Sequence, residues 1–374
     1  MRKCKLSECV KEINDRTIEN NQYEVLTSSK NGIFSQEEYF DKQVASKDNT
    51  GYKIIKNGQF TYRSMSDSGT FTINRLEDKN IGIVSPAYPV FEATNVDAEF
   101  LKYYFKSELF NKAIINLSQG STRTALKYKD LIDIEIYLPE IEEQKRIVKI
   151  LKNSDQIIEK YDELIKEKEQ FIKSQFVEMF SMNNFSKKRM DEVAVLKSGT
   201  TFLKEQELEE GELLYCKISD MNLEGNEKYI ITSKTYVSKE IGRKASIPAN
   251  SVIFPKRGGA IGTNKKRILL ENTCVDLNIM GVTPKNLINI QYLYYYFINT
   301  DLAKICDGST IPQLNNKNIG PLEISVPPIT LQKRFETIVQ LIDKQKFELE
   351  KQKQNYIDLK KGLMQQLLTG KLKV

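Results

Sequence analysis

The sequence predicts an α+β protein in which two mixed α/β domains are separated by two long helices that pack as an antiparallel coiled coil with pseudo-two-fold symmetry. One basis for this prediction is an internal repeat, since residues 120–180 and 308–368 align without a gap at an offset of 188. A repeat of this length indicates two copies of one architecture. A further basis is a heptad pattern of apolar residues in the last part of the repeat.

The domain boundaries follow from the prolines that precede each helix. Pro139 stands before the first helix, and Pro327-Pro328 stands before the second. The residue before a proline avoids the helical conformation, so each proline marks a change of structure. We predict four parts: a first mixed domain at 1–138, a first helix at 139–182, a second mixed domain at 183–326 and a second helix at 327–374.

The mixed part of each half contains short β-rich runs followed by an aromatic helix. Residues 58–62, 71–73 and 81–84 are typical of strands in half one, as are residues 250–254 and 267–270 in half two. The aromatic helices cover residues 100–105 and 293–297. We expect their rings to pack in a core rather than to stack on bases.

The long helices carry apolar residues at every seventh position, which predicts a seam for another helix. The first helix has two such columns and the second has one. Packing of the two helices on each other is the favoured closure, and the alternative is two independent helices that each seek a partner chain. The columns are Leu151, Ile158, Ile165, Ile172 and Met179; Ile150, Ile157, Leu164 and Phe171; and Phe335, Ile342, Leu349, Tyr356 and Leu363.

The composition excludes several kinds of chemistry. The chain has no histidine, so a Ser-His-Asp or Cys-His catalytic arrangement is impossible, and no phosphate-binding glycine motif occurs. Five scattered cysteines without a CxxC pair favour reduced thiols over disulfides or zinc. With no visible signal peptide and no run of 18 apolar residues, we expect a cytoplasmic protein that does not bind membranes.

Several motifs together resemble the specificity subunit of type I restriction–modification enzymes. Each repeat copy opens with Gly-Ser-Thr, has a leucine six residues later, and continues through Leu/Val-Pro-x-Ile and Gln-Lys-Arg into the long helix. The C-terminal run 360–374 resembles the same family, and the likeness covers the whole chain. The resemblance implies a non-catalytic subunit that reads a split DNA sequence, with one half-site per domain and the paired helices as the ruler.

The resemblance also implies partners. Two methyltransferase subunits are expected to dock on the helices and to methylate adenine, with S-adenosylmethionine bound by them and no cofactor or metal in this chain. Motor–nuclease subunits are a further expected partner. We expect partner contacts from the Gln-Lys-Arg motifs, namely from Gln144, Arg146, Gln332 and Arg334.

Candidate DNA contacts follow from the chemistry of phosphates and base edges, which select Lys, Arg, hydroxyls and amides. The basic segments of half two should belong to one hairpin, and the alternative to DNA contact there is a solvated turn. For the Gly-Ser-Thr loops the alternative is a turn that supports the start of the helix, and for Gln313 and Asn315 it is a cap of the following segment. The residues are Tyr62, Arg63, Ser64, Ser121, Thr122 and Arg123 in half one, and Lys256, Arg257, Gly258, Asn264, Lys265, Lys266, Arg267, Ser309, Thr310, Gln313 and Asn315 in half two.

The two halves differ in sequence within this shared frame. Residues 123–126 are Arg-Thr-Ala-Leu, whereas residues 311–314 are Ile-Pro-Gln-Leu. We therefore expect an asymmetric bipartite DNA site. Three rival functions stay open: a coiled-coil protein scaffold, a nuclease that acts alone, and the recognition subunit of a related restriction–methylation enzyme that cuts beside its site.

Overall fold

A computed structural model of the chain describes residues 2–39, 48–66, 69–117, 124–181, 184–306 and 312–374. The chain divides into two compact units. Unit 1 comprises Met1–Asp162 and Glu350–Val374, and unit 2 comprises Glu163–Leu349. Each unit contains one mixed α/β part and a section of both long helices, which confirms the predicted α+β class.

Unit 1 is built from short strands in small antiparallel sheets. The largest sheet has the order β2-β10-β6-β8, and the pairs β1-β12, β3-β4, β5-β9 and β7-β11 complete the set in the described residues. The strands are Arg2–Lys5 (β1), Val10–Glu12 (β2), Leu26–Ser29 (β3), Gly32–Ser35 (β4), Lys53–Lys56 (β5), Phe60–Thr61 (β6), Met65–Ser66 (β7), Asn74–Arg75 (β8), Ile81–Val84 (β9), Val90–Ala93 (β10), Thr124–Ala125 (β11) and Glu135–Leu138 (β12). The helices are Gln36–Tyr39 (α1), Ala98–Phe105 (α2), Glu108–Leu117 (α3) and Tyr128–Ile132 (α4).

Unit 2 has a five-stranded sheet of order β14-β21-β18-β19-β16, a three-stranded sheet of order β17-β15-β20 and the pair β13-β22. The strands are Lys187–Arg189 (β13), Ala194–Ser198 (β14), Leu213–Cys216 (β15), Tyr229–Ile230 (β16), Tyr236–Val237 (β17), Val252–Pro255 (β18), Arg267–Leu269 (β19), Cys274–Val275 (β20), Ile279–Pro284 (β21) and Glu323–Ser325 (β22). The helices are Met190–Val193 (α6), Lys239–Gly242 (α7), Ile290–Ile298 (α8) and Asn316–Ile319 (α9).

The two long helices are α5, Ile141–Phe180, and α10, Ile329–Leu368. Each has 40 residues and so is about 60 Å long. Each begins two residues after a proline that the repeat shares, Pro139 or Pro327. Among the described residues, neither these helices nor any other is apolar enough over a sufficient length to cross a membrane.

Aromatic side chains form much of each core, as the sequence predicts. In unit 1 the ring of Phe105 in α2 packs edge-on against Phe60 and Phe91 of the sheet, with centroids 5.6 and 6.0 Å apart. In unit 2 the ring of Tyr295 in α8 packs edge-on against Phe335 of α10 at 5.4 Å. These rings are buried, so the aromatic helices supply core packing.

A buried glutamine joins the first long helix to unit 1. The Gln144 side chain accepts a hydrogen bond from the Asp97 N–H at 2.8 Å and donates one to the Pro139 carbonyl at 2.8 Å. Asp97 also caps the aromatic helix α2, because its side chain accepts from the N–H of Phe100. Gln144 therefore links the start of the aromatic helix to the start of the long helix.

Unit 2 contains the same joint. The Gln332 side chain accepts from the Asn289 N–H at 2.8 Å and donates to the carbonyls of Pro327 at 2.8 Å and Leu287 at 3.0 Å. Asn289 caps α8 as Asp97 caps α2. Because Gln332 lies 188 residues after Gln144, the joint is a property of the repeat.

A repeated aspartate fastens each long helix at a second point. In unit 1, Asp155 accepts a hydrogen bond from the Tyr103 hydroxyl at 2.6 Å and forms an ion pair with Lys360 of α10. In unit 2, the equivalent Asp343 pairs with Lys228 at 2.5 Å. The ammonium of Lys228 also lies 5.3 to 5.6 Å from the ring centroids of Tyr229, Tyr294 and Tyr295.

The predicted helix seam is confirmed for one column of α5, whereas in the other column only Ile150 packs against the core and the prediction is wrong for the remaining three residues. The column from Leu151 to Met179 is buried or half-buried, and in each unit α5 and α10 share a core cluster. In contrast, Ile157, Leu164 and Phe171 are 38%, 42% and 47% exposed. These residues lie one position before the buried column. The inner face of α5 extends to the other side, where the half-buried residues Ser154, Tyr161, Lys168 and Gln175 lie.

Ion pairs occupy the part of the seam where the sequence of α10 turns polar. The pairs are charge-assisted hydrogen bonds between lysines of α10 and carboxylates of α5. A step of seven residues up α5 corresponds to a step of seven residues down α10, as antiparallel helices require. The pairs are Asp155–Lys360 and Asp162–Lys353 in unit 1, and Glu169–Lys346 in unit 2, the last two at 2.5 Å each.

We predict that the Gln332→Leu substitution lowers the free energy of unfolding of unit 2 by about 2–4 kcal/mol, because it leaves the buried Pro327 carbonyl and the partly buried Asn289 N–H and Leu287 carbonyl without their side-chain partner. Denaturant unfolding of the full chain measures this. The matched control is Gln340→Leu at an exposed position of the same helix, which should change stability by less than about 0.5 kcal/mol. Equal effects of both substitutions would contradict the role of the joint.

Candidate nucleic-acid interface

In unit 2, two predicted site segments that are far apart in sequence pair along their backbones. The Gly258 N–H donates to the Pro312 carbonyl and the Leu314 N–H donates to the Lys256 carbonyl, both at 2.8 Å. Arg257 and Gln313 therefore form an antiparallel bridge. The structure thus brings the basic segment after β18 together with the segment that follows the repeated Gly-Ser-Thr.

Unit 1 has the same pairing. Strand β7 pairs with β11, so that Met65 lies opposite Ala125, and the Leu126 N–H donates to the Ser64 carbonyl at 3.0 Å. Leu126 and Leu314 are equivalent in the repeat, and both are buried. The residues that flank them therefore occupy matched positions in the two units, as the sequence predicts for 62–66.

The exposed side chains of the two ladders differ. In unit 2, Arg257 is exposed, and the Gln313 amide donates to the Asn315 side chain at 3.1 Å. In unit 1, Arg63 and Met65 are exposed and Ser64 is half-buried. A guanidinium beside two amides and a guanidinium beside a thioether offer different contacts to DNA.

Three predicted contact residues are buried and correct the sequence-based prediction. Tyr62 donates from its hydroxyl to the Leu126 carbonyl at 3.2 Å, and burial raises the pKa of Tyr62. Lys256 donates to the Ser198 hydroxyl at 2.8 Å, and its pKa is lowered by burial and by Arg257. Lys266, which is 1% exposed, donates to the Thr300 carbonyl at 2.9 Å. None of these side chains is presented to a ligand in this structure.

The second basic segment of unit 2, residues 264–267, makes several hydrogen bonds within the unit itself. Strands β18 and β19 pair antiparallel, which confirms the predicted hairpin, and a short 3₁₀ turn, Gly258–Thr263, connects them. Asn264 accepts from the Leu302 N–H at 3.2 Å, and Arg267 donates to the Met221 carbonyl at 2.8 Å. Burial lowers the pKa of Arg267. Lys265 bonds to the Asn222 side chain at the surface.

The remaining predicted residues divide into three groups. Arg146 and Arg334 are exposed, and the Arg146 guanidinium donates to the carbonyl of Val374 at 2.8 Å. Gln144 and Gln332, which we expected to contact a partner, are buried in the joints, so their exposed surface is too small for that role. Five predicted residues lie outside the described residues: Ser121, Thr122, Arg123, Ser309 and Thr310.

A cleft of unit 1 adds residues that the sequence reasoning missed. It has a volume of about 840 Å³ and lies between the β3–β4 hairpin and the segment around Arg63 and Ser66. The signal in the sequence is Asn31-Gly32 between two short β-rich runs, which is typical of a hairpin, although in the structure Gly32 pairs with Ser29 and the turn lies one residue earlier. From the hairpin and α1, the lining includes Thr27, Ser28, Ser29, Lys30, Asn31, Gln36 and Tyr39.

The chain is similar to known proteins over most of its length. A family model described as "Type I restriction modification DNA specificity domain" matches residues 8–170 and again residues 182–359. The type I restriction enzyme MjaIX specificity subunit of Methanocaldococcus jannaschii is 23% identical over 311 residues, which is 75% of this chain and 70% of that protein. The putative MjaX specificity subunit of the same organism is 23% identical over 321 residues, 78% of this chain and 69% of that protein.

Among solved structures, one reported as "Structural basis underlying complex assembly and conformational transition of the type I R-M system" has a similar fold. Its TM-score is 0.64 at 15% sequence identity, and the match covers 99% of this chain and 98% of that one. At this identity the likeness concerns the fold.

The buried Lys266 predicts a pH dependence of stability. Burial lowers its pKa from 10.5 to about 8. Between these values the unfolded chain binds the proton more tightly than the folded chain, so this residue's destabilising contribution is full below pH 8 and disappears as pH rises to about 10.5. We expect Lys266→Met to be more stable than the parent at pH 7 by on the order of 2 kcal/mol, with the difference vanishing near pH 10.

Urea unfolding of both proteins at several pH values between 7 and 10 measures this difference, since the other titrating groups are common to both. Lys265→Met is the matched control, because Lys265 lies at the surface. A stability difference that stays constant with pH would contradict the assignment.

Proposed function

The chain belongs to the family of type I restriction–modification DNA specificity proteins and contains two copies of its domain, and from this premise we propose that it reads an asymmetric bipartite DNA sequence. Each unit reads one half-site. The long helices, which run through both units, set the gap between the half-sites. The chain itself is non-catalytic and binds no cofactor or metal.

The single observation that supports this proposal most is the repeated ladder with unlike side chains. Both units pair the segment after a sheet strand with the segment before a buried leucine, Leu126 or Leu314. A shared backbone frame gives both units the same way of approaching DNA. Different exposed residues, Arg257 in one unit and Met65 in the other, give them different base preferences.

The exposed arginines and the half-buried amides of the two ladders make two kinds of contact. Arg257 and Arg63 supply positive charge for phosphates or for a guanine edge. The paired amides of Gln313 and Asn315 suit an adenine edge. Phosphate contacts fix the register of the protein on the duplex, and the base contacts give the specificity.

The chemistry belongs to partner subunits in this proposal. Two methyltransferase subunits dock on the long helices and hold S-adenosylmethionine, and motor–nuclease subunits join them when the DNA is to be cut. The outward apolar residues Ile157, Leu164 and Phe171 provide area for such docking, with the exposed Arg146 and Arg334 near the starts of the helices. All five cysteines are free thiols, which fits a reducing cytoplasm.

We predict that replacing residues 1–138 by the first domain of another family member changes one half of the methylated sequence and leaves the other half unchanged. The donor should have a tyrosine at the position of Tyr103, so that the bond to Asp155 is kept. Methylome sequencing reads both halves in one experiment. The matched control is the reciprocal exchange of residues 183–326, which should change only the other half, and an exchange that alters both halves would refute one half-site per unit.

We predict that a matched insertion of one heptad into both helices lengthens the gap by about three base pairs, since seven helical residues rise about 10.5 Å. The insertions go between Asp162 and Glu169 in α5 and between Lys346 and Lys353 in α10, so that every seam ion pair is kept. The control is the insertion into α5 alone, which separates the charges and should weaken the assembly. An unchanged gap in the methylated sequence would show that the helices are not the ruler.

A further inference from the structure

We propose that the β3–β4 hairpin of unit 1 selects the bases of one half-site: its turn enters a groove of the duplex while the cleft beside it holds the adjoining DNA strand. This inference rests on the proposed function and assigns its specificity-determining residues in unit 1. The turn consists of Lys30 and Asn31, because Ser29 and Gly32 form the last pair of the hairpin. Both turn residues are exposed.

The charge of the cleft suits a phosphate strand. Lys30 and Arg63 line it, and no carboxylate is among its described lining residues. Of the described carboxylates next to the lining segments, Glu37 and Glu38 of α1 are exposed and do not line the cleft, and Asp41 and Asp67 lie outside the described residues. Among the described lining residues the charge is therefore positive, which favours a polyanion in this cleft.

The uncharged lining suits DNA as well. Its hydroxyl and amide groups can bond to phosphate oxygens and to base edges, and the half-buried Tyr88 provides apolar area for sugars. The amides of Asn31 and Gln36 are the base-reading groups among these residues, since an amide bonds an adenine edge through two hydrogen bonds. A volume of about 840 Å³ holds a stretch of backbone and not merely one small ion.

The hairpin is held rigidly, as specific recognition requires. The buried Asn74 of β8 donates to the Ser28 hydroxyl and to the Ser29 carbonyl, both at 2.8 Å. The Ser29 hydroxyl in turn accepts from the Asn31 N–H at 3.0 Å and donates to the Gly32 carbonyl at 3.2 Å. These bonds fix the backbone of the turn, while the side chains of its two residues stay exposed.

Helix α1 is fixed in the same way. The Gln36 N–H donates to the Val25 carbonyl at 2.9 Å, and the rings of Phe34 and Tyr39 stack with centroids 5.7 Å apart. A two-stranded ribbon of this kind fits the width of the major groove of B-DNA, about 12 Å. The geometry therefore places Asn31 at the base edges and Lys30 and Arg63 at the phosphates.

The test selects duplexes from a randomised library with the full chain and sequences the bound fraction. The parent chain should enrich a two-part sequence. Asn31→Ala should relax the preference at one or two positions of one half-site, with a loss of discrimination of about 10- to 100-fold, and leave the other half-site intact. The matched control is Asn80→Ala, which removes an exposed asparagine of unit 1 that does not line the cleft.

The cations should behave differently from Asn31. Lys30→Met and Arg63→Met are each expected to weaken binding to all sequences alike and to reduce the slope of log affinity against log salt by about 1. Asn31→Ala should leave that slope unchanged. This difference separates base reading from phosphate binding.

Two results would overturn the inference: an unchanged half-site after Asn31→Ala, or unchanged salt slopes for both cation variants. In either case the two-part sequence selected by the parent chain would still support the proposed function. Failure of the parent chain to select any two-part sequence would refute the proposed function itself. Because Lys30, Asn31 and Arg63 are exposed, equal melting temperatures for parent and variants verify that only the surface has changed.

Discussion

The buried glutamine at the start of each long helix is the interaction on which the rest of the structure depends. Gln144 and Gln332 each bond to backbone groups of two other segments, and an apolar side chain would leave those groups without partners. The strand pairs β1–β12 and β13–β22 lie next to these glutamines along the chain, because β12 leads into α5 and β22 leads into α10. The direction of each helix is therefore set by a small polar contact inside an apolar core, and the units can differ elsewhere without losing it.

The repeated aspartate of each long helix shows how the two units differ. Asp155 and Asp343 are equivalent in the repeat, yet the lysine that meets Asp155 comes from α10 and the lysine that meets Asp343 comes from the mixed part of unit 2. Burial lowers the pKa of Lys228, and the carboxylate of Asp343 opposes this effect. A carboxylate and three aromatic rings together stabilise this half-buried ammonium. The long helix of unit 2 is thus tied to its own domain by a charge.

The sequence predicts the repeat, one column of the helix seam and the matched positions of residues 62–66 and of the basic segments of half two, because each follows from spacing along the chain; the backbone pairing of these segments with 124–126 and 312–314 appears only in the structure. It does not show which polar residues are buried. Lys256 directly continues the fully buried strand β18, and Lys266 precedes β19, so both side chains enter the interior, whereas the sequence predicts DNA contacts with a solvated turn as the alternative. For Gln144 the sequence does contain a signal, because Gln144 lies on the same helix face as the apolar residues Ile147 and Leu151. The cleft was missed because it combines segments that only folding brings together.

The charges of the helix seam are sorted by helix, and this has a consequence for identical chains that meet during synthesis. At the three ion-pair positions α5 contributes only carboxylates and α10 contributes only lysines. Two copies of α5 placed along these positions would oppose acid to acid, and two copies of α10 would oppose base to base. This arrangement therefore disfavours the pairing of α5 with α5, or of α10 with α10, between two nascent chains. Only the pairing of α5 with α10 matches opposite charges at these positions.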